Sequence, residues 1–297
     1  MCDFGPTQFP AVRQAIAHLL DRNEFANTFC QGWGGVVSVP AGPGLWQYQD
    51  SEEFLNENLN TYPYDYDKAV ELLVADGWVY NADGSDWTEG SGVRYKKVTA
   101  EEAGTYEGNV TLDDGTILMP LSLEWSSSEG NSVSELLKVM LAENPDVEKA
   151  GIKINQNIMT FTELLNYYYR DETAGEQYGV PTYTMFNLAS NFNAPYSMAY
   201  EFTRDLELVD GGWNSDRIYD EQLDTLSMNM VYGLSSEQVD EHVDMFCQLM
   251  ARWNELMPAL PLYSNIYVSV YPDWLENYEQ DSFWSFQQAV LYATIAE

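Results

Sequence analysis

The residue types that carry out chemistry are unevenly supplied in this chain. Its three cysteines, Cys2, Cys30 and Cys247, and two histidines, His18 and His242, stand too far apart for a zinc ligand set or a C-x-x-C pair. No G-x-S-x-G, P-loop or H-E-x-x-H segment occurs, so nucleophilic, phosphate-binding and zinc-hydrolase chemistries lack their usual scaffolds. Carboxylates are abundant, and Glu52-Glu53, Glu101-Glu102 and Asp113-Asp114 could be imagined as the acid and base of a glycosidase-like enzyme. In a chain with 47 acidic residues such neighbours arise by chance, and adjacent residues on a strand face opposite ways. The expectation is no enzyme, no cofactor and no metal.

Amides, hydroxyls and aromatic rings are better supplied. Ser126, Ser127 and Ser128 follow Trp125, and the run Asn187, Leu188, Ala189, Ser190, Asn191, Phe192 follows Phe186. Such groups can hydrogen-bond a polar solute or a peptide backbone. The serines have a second reading, as a capping loop ahead of a helix at Ser132. Trp33 and Trp46, in a Gly/Pro-rich stretch, are aromatic candidates for a cleft wall or for packing of the loop, and Trp33 is read as the latter. Gly211-Gly212-Trp213-Asn214 reads as a structural turn.

These residues need a scaffold, and the hydrophobic periodicity supplies one. Leu121, Leu123 and Trp125 alternate as in a strand; Ser132 with Glu135 then has capping-box spacing ahead of Val133, Leu136, Leu137, Met140 and Leu141. Ile152, Ile154 and Ile158 form a second strand, Thr160 with Glu163 caps a second helix, and Tyr183 to Leu188 forms a third strand. That βαβαβ order predicts a right-handed parallel sheet. Ligands bind beyond the carboxyl ends of such strands, which points to the loops named above.

Around this unit, Pro10 opens a helix and Asp21 with Glu24 opens another. An ordered loop is expected from Val36 to Tyr64, and a helix from Lys68 to Asp76 capped by Asp65 or Asp67 and ended by Gly77. Residues 80–117 read as β-hairpins turning at Asp83-Gly84 and Asp114-Gly115. Further helices are expected near Asp220 to Met228 and from about Glu237 to Leu256, the latter with Ser235 and Gln238 at its start and a stripe of Val239, Val243, Phe246, Met250 and Trp253. Ile266 to Tyr271 is strand-like.

With 297 residues and 45% apolar content, the chain can build a sizeable core. A net charge of −34 repels phosphate backbones and anionic headgroups, which excludes nucleic acid as a partner. No run of about eighteen apolar residues is present, and no basic and apolar leader stands at the start. Membrane insertion of this chain is not expected, and an export signal is expected to lie outside it.

Several of these segments resemble one family. Val12-Arg13-Gln14-Ala15-Ile16 followed by Leu20-Asp21-Arg22 is similar to the "VRQAI…IDR" signature of the family 5 extracellular solute-binding proteins. Tyr64-Asp65-Tyr66-Asp67-Lys68-Ala69, with Leu72-Leu73 and Gly77-Trp78, resembles that family's "YDPEKAKELLAEAGW" segment, and Pro258 with Pro261-Leu262-Tyr263 resembles its "P-x-x-PLY" ending. The resemblance implies an α/β, type II periplasmic-binding-protein-like lobe: residues 1–262 as the C-terminal lobe, with a hairpin-rich insertion at about 80–117. Residues 263–297 would be a tail returning to an N-terminal lobe that this chain does not contain. It implies solute capture for an ABC importer, peptides or oligopeptides first and a non-peptide solute such as an oligosaccharide as the alternative. A permease would be the membrane partner, and the location extracytoplasmic, periplasmic or on a cell-surface lipoprotein. Together with the strand-end and aromatic readings above, this gives Phe186, Asn187, Leu188, Ala189, Asn191, Ser126, Ser127 and Trp46 as the candidate ligand contacts. Asn191 stands where relatives carry the aspartate that receives a peptide's α-amino group. An amide can accept a hydrogen bond but cannot pair its charge with an ammonium, which weakens the expectation of amine anchoring.

Overall fold

Polar residues placed just ahead of apolar periodicity start most of the helices. The computed structural model describes residues 1–190, 197–266, 268–281 and 284–296. Helix α1 (Pro10–His18) carries proline in its first turn, and α2 (Arg22–Cys30) is capped by Asp21, whose carboxylate accepts the Glu24 amide at 2.9 Å. Asp65 caps α4 (Tyr66–Ala75) in the same way through the Lys68 amide. Between them, β1 (Gly34–Gly35) precedes the loop expected over 36–64, which contains a full helix, α3 (Trp46–Asn58). The buried residues of α3 are Gln47, Ser51 and Leu55. They recur every four residues, as a helix requires, but two of the three are polar, so the stripe carried no apolar signal.

The hairpin region forms a four-stranded antiparallel sheet wider than expected: β2 (Trp78–Tyr80), β3 (Tyr95–Val98), β4 (Val110–Thr111) and β5 (Ile117–Pro120), in the order β2-β3-β5-β4. Its turns fall where Asp-Gly pairs predict them. Gly84 and Gly115 have φ of +82° and +85°, which glycine adopts without steric cost. The preceding aspartates accept the amides of Ser85 and Thr116. Helix α5 (Ala100–Ala103) begins with a capping box between Thr99 and Glu102.

The βαβαβ expectation holds. Strand β6 (Ser122–Ser128) lies between β7 (Lys153–Met159) and β8 (Met185–Phe186) and is parallel to both. The first crossover runs through α6 (Ser132–Leu137), a wider π-type turn at Lys138–Ala142 and α7 (Pro145–Lys149); the second uses α8 (Phe161–Tyr169) and α9 (Glu176–Gly179). Helix α6 is capped by Asn131 in place of Ser132: one amide oxygen accepts the N–H groups of Val133 and Ser134 at 3.0 and 3.2 Å.

Two apolar clusters hold these layers. One joins α1, α4 and both sheets through residues such as Val12, Leu19, Phe25, Leu73, Trp78, Leu121, Leu123 and Trp125. The other joins α3, α11 (Glu221–Tyr232) and α12 (Val239–Leu256), preceded by α10 (Leu206–Asp210), around Leu55, Leu223, Phe246, Leu249, Met250 and Trp253. The predicted stripe on α12 is buried only in its C-terminal half, since Val239 is 46% exposed. In the tail, β9 (Ser264–Asn265) pairs with β1, while β10 (Leu275–Glu276) and β11 (Thr294–Ile295) flank α13 (Phe286–Val290). The strand expected over Ile266 to Tyr271 is not formed among the described residues, and Val270 is 93% exposed.

Asp220 both caps α11 and receives Arg252 of α12 at 2.6 Å. Burial raises its carboxyl pKa, but hydrogen bonds from Arg252 and the amides of Leu223 and Gln222 outweigh burial and hold the group below its ordinary value. A carboxyl with a depressed folded pKa contributes stability that is complete above its unfolded pKa, about 4, and is lost as the pH falls through the folded value. Asp220→Asn is therefore expected to lower the urea midpoint at neutral pH, with the gap to the parent chain closing below about pH 4. A gap of equal size at both pH values contradicts this.

Candidate functional site

The carboxyl edge of the parallel sheet is formed where β6 ends at Ser128, β7 at Met159 and β8 at Phe186. Trp125, three residues before the end of β6, is 1% exposed. Its indole N–H donates to Asn187 Oδ1 at 3.0 Å, and the Ser134 hydroxyl donates to the same oxygen at 3.1 Å. Strand β6 and helix α6 thus hold the first residue beyond β8 from two sides, fixing where the chain leaves the sheet. Beyond that anchor Leu188 is 41% exposed, and Ala189 and Ser190 are open to solvent. Phe186 is half-buried, edge-on to the ring of Tyr168 at 5.3 Å. Asn191, and Phe192 with it, lies outside the described residues.

The three serines behave differently from the exposed loop expected of them. Register with β7 continues through Ser126, Ser127 and Ser128 opposite Asn157, Ile158 and Met159, and Ser126 and Ser127 are fully buried. Gln156 Nε2 donates to the Ser127 hydroxyl at 2.9 Å, Asn131 Nδ2 to that of Ser128 at 3.2 Å, and the Ser126 hydroxyl faces Met159 Sδ at 3.3 Å. Serine favours turns in a sequence reading because its hydroxyl competes for backbone partners. Here neighbouring side chains occupy the hydroxyls, so the strand runs on. Ser126 and Ser127 form the floor beneath the edge and are not solvent-facing contacts.

Trp46 is likewise displaced from its expected role. It is the first residue of α3, 44% exposed, with its ring 5.1 Å from that of His242 on α12, so it lies against α12 and not at the strand ends. Trp33 is 61% exposed in the turn after α2. Asn214 of the Gly-Gly-Trp-Asn turn is fully buried and donates to the carbonyls of Thr203 and Ile218, a structural use as expected.

Two residues at the edge escaped the sequence reading. Ile158, next to last in β7, and Phe161, first in α8, are 65% and 56% exposed. With Leu188 they place three exposed apolar side chains along the carboxyl edge, although Ile158 had counted only as strand periodicity. Polar anchoring behind and apolar contact in front is the composition of a binding surface.

Glu102 and Asp114, one from each of two acidic pairs, do local work. Glu102 accepts the Thr99 amide in the α5 capping box. Hydrogen bonds from Thr116 hold the Asp114 carboxyl below its ordinary pKa, the opposite of what a general acid needs. Glu124, on the sheet, receives Asn155 and Asn157 on its two oxygens at 2.6 and 2.9 Å. Among the described residues no group of three His, Cys, Asp or Glu side chains is arranged to hold a metal ion, no helix is long and apolar enough to cross a membrane, and the three cysteines are free thiols.

Comparison with known proteins gives a consistent result. The model of a family described as bacterial extracellular solute-binding proteins, family 5 middle, matches residues 2–205. The oligopeptide-binding protein of Thermus thermophilus, solved with a pentapeptide, superposes with a TM-score of 0.64 at 20% identity, over 96% of this chain and 42% of that one. AppA of Bacillus subtilis, an oligopeptide-binding protein solved with a nonapeptide, gives 0.62 at 18% identity, over 99% and 50%. Heme-binding protein A of Haemophilus influenzae is 30% identical over 78 residues, 26% of this chain and 13% of that protein. The chain spans half or less of the length of each. The structural likeness shows the fold, a type II periplasmic-binding-protein arrangement of parallel sheet and flanking helices.

Proposed function

The chain belongs to the bacterial extracellular solute-binding proteins of family 5, and from that premise we propose that it is the C-terminal lobe of a two-lobed protein that captures peptides for an ABC importer. The observation that carries the reading is the carboxyl edge of the parallel sheet, where the Trp125–Asn187 anchor presents residues 188–190 to solvent. Residues 1–262, with the antiparallel insertion, form the lobe; of the tail over 263–297, β9 pairs with β1 of the lobe, and the part beyond it packs on a partner lobe. Support for the second point is the apolar surface the tail displays: Val268, Val270, Leu291, Tyr292 and Ile295 are each at least 60% exposed, more than a free surface carries without a use. The solute binds between the lobes and draws them together because it touches both. The closed protein delivers it to a permease outside the cytoplasm, and no reaction is catalysed.

Peptide is favoured over oligosaccharide because both structural relatives described above were solved with peptides. Asn187 and the exposed backbone beyond it suit the amide groups of an extended peptide. Calorimetry tests the reading on the protein produced at its relatives' two-lobed length and on this chain alone, against tri- and tetrapeptides and matched oligosaccharides. Micromolar or tighter peptide binding by the two-lobed protein, and binding at least about a hundredfold weaker by this chain, is expected, since one lobe provides only part of the contacts. Equal affinity for both forms overturns the two-lobed reading, and oligosaccharide binding without peptide binding overturns the solute class.

A further inference from the structure

The parallel sheet ends on one side at β7, whose only strand neighbour among the described residues is β6. Register between the two runs from Lys153 to Met159 without a bulge. The Lys153 amide donates to the Leu121 carbonyl at 3.0 Å, and the Met159 carbonyl receives the Glu129 amide at 2.9 Å, so the odd-numbered residues of β7 direct their backbone groups at β6. Alternate residues of a strand direct these groups opposite ways. Ile154, Gln156 and Ile158 therefore turn their N–H and C=O groups to the open edge, where no described residue bonds to them.

Folded chains guard such an edge with charge, proline, a bulge or a cover. From Ile154 to Met159 there is no ionisable side chain and no proline, in a chain whose net charge is −34. A second observation is independent of the open edge: Ile154-Asn155-Gln156-Asn157-Ile158 reads the same in both directions. Two identical strands paired antiparallel about a two-fold axis set each residue against its mirror position, so a palindromic edge is its own complement. With the axis at Gln156, Gln156 meets Gln156 and Ile154 meets Ile158 of the second copy. These are the outward-facing residues, as the hydrogen-bonded pairs of an antiparallel ladder require. The strip is also ordered in advance: Glu124 holds the Asn155 and Asn157 amides at 2.6 and 2.9 Å, and Gln156 Nε2 is tied to the Ser127 hydroxyl at 2.9 Å.

We propose that the free edge of β7 pairs with a second copy of this chain, antiparallel and centred on Gln156. Ile158, 65% exposed, then packs beside Ile154 of the second copy, which itself lies against the first apolar cluster. Phe161 and Leu188 remain open on the carboxyl edge, and the pairing does not rest on the reading of that edge. An interface of five residues a side falls below the roughly 1,200 Å² of stable complexes, so the dimer is weak. The charge of −34 on each copy opposes it until salt screens the repulsion.

Sedimentation equilibrium of the chain from about 10 to 500 μM, at low salt and at about 0.5 M, tests the assignment. A dimer that forms with rising concentration and tightens with salt is expected. Ile158→Lys weakens it by about tenfold or more although it reduces the net negative charge, while Leu206→Lys, the same change at a 64% exposed position on α10, stays within about twofold. Because the tail has exposed apolar surface of its own, a second readout locates the contact. Facing Cα atoms in a hydrogen-bonded pair stand about 5.5 Å apart, within disulfide reach, so the air-oxidised Gln156→Cys variant is expected to link two chains through the introduced thiols, as read by peptide mass spectrometry. A chain that stays monomeric at the highest concentration and salt, a dimer weakened no more by Ile158→Lys than by Leu206→Lys, or one that the introduced thiols do not link overturns the proposal.

Discussion

Replacing Arg13 by alanine is expected to lower the stability of the fold by about 3–5 kcal/mol, as measured by urea unfolding. Its guanidinium is buried and, among the described residues, donates to backbone carbonyls: Thr7 and Gln8 at 2.6 and 3.1 Å on one side, Leu256 and Met257 at 2.6 and 2.9 Å on the other. Burial lowers the pKa of the group, and the charge is tolerated because four carbonyl dipoles surround it and Asp216 lies near enough to act on it. Alanine removes the donors and leaves those oxygens without them, at roughly 1–3 kcal/mol for each that water cannot reach. Arg13→Lys is expected to recover less than half of the loss, because a single ammonium cannot span the two carbonyl pairs. A loss below about 1 kcal/mol for the alanine variant contradicts this role.

The same contacts explain why the signature segments occur together. Arg22 donates to Val37, Thr61 and Pro261, His18 contacts the Pro63 carbonyl at 2.7 Å, and the Asp65 amide donates to the His18 carbonyl. The first signature helix is thus bound to the Tyr64–Ala69 segment and to the Pro-rich ending after α12. In a chain with 13 basic and 47 acidic residues, these arginines spend their hydrogen bonds on the backbone, and Arg13 also meets the charge of Asp216.

The second large effect is expected at Trp125. Trp125→Ala should cost about 3–5 kcal/mol through the cavity left beneath β6, and it should abolish solute binding by the two-lobed protein even where folding is retained at low temperature. Trp125→Phe separates the two contributions. It keeps most of the packing but removes the indole donor, leaving Asn187 Oδ1 with the Ser134 hydroxyl alone. Its stability loss should stay near 1–2 kcal/mol, while solute affinity falls by about tenfold as residues 187–190 lose their fixed exit from the sheet. Unchanged affinity in the phenylalanine variant, read by calorimetry, contradicts the positioning role given to the indole.

The parallel unit was legible because Leu121, Leu123 and Trp125 bury one face and because Thr160 with Glu163 starts the following helix as capping chemistry requires. Helix α3 was not, since burial there falls on Gln47 and Ser51 beside Leu55, which leaves no apolar pattern. Ser126 to Ser128 were misplaced for a related reason: small hydroxyls signal a turn, and only the partners on β7 and at Asn131 keep them in the strand. Asn187 was singled out for its place after a strand. That Trp125 and Ser134 converge on it depends on contacts 62 and 53 residues apart, which spacing along the chain does not encode.

Hydrogen exchange of the two-lobed protein, with and without saturating tetrapeptide, tests most directly whether the strand edge receives the solute. Slowed exchange at the amides of residues 187–190 and at the turn from Ile158 to Phe161, with helices α3 and α12 unchanged, is the predicted result. Saturation that leaves the exchange of residues 187–190 unaltered contradicts it.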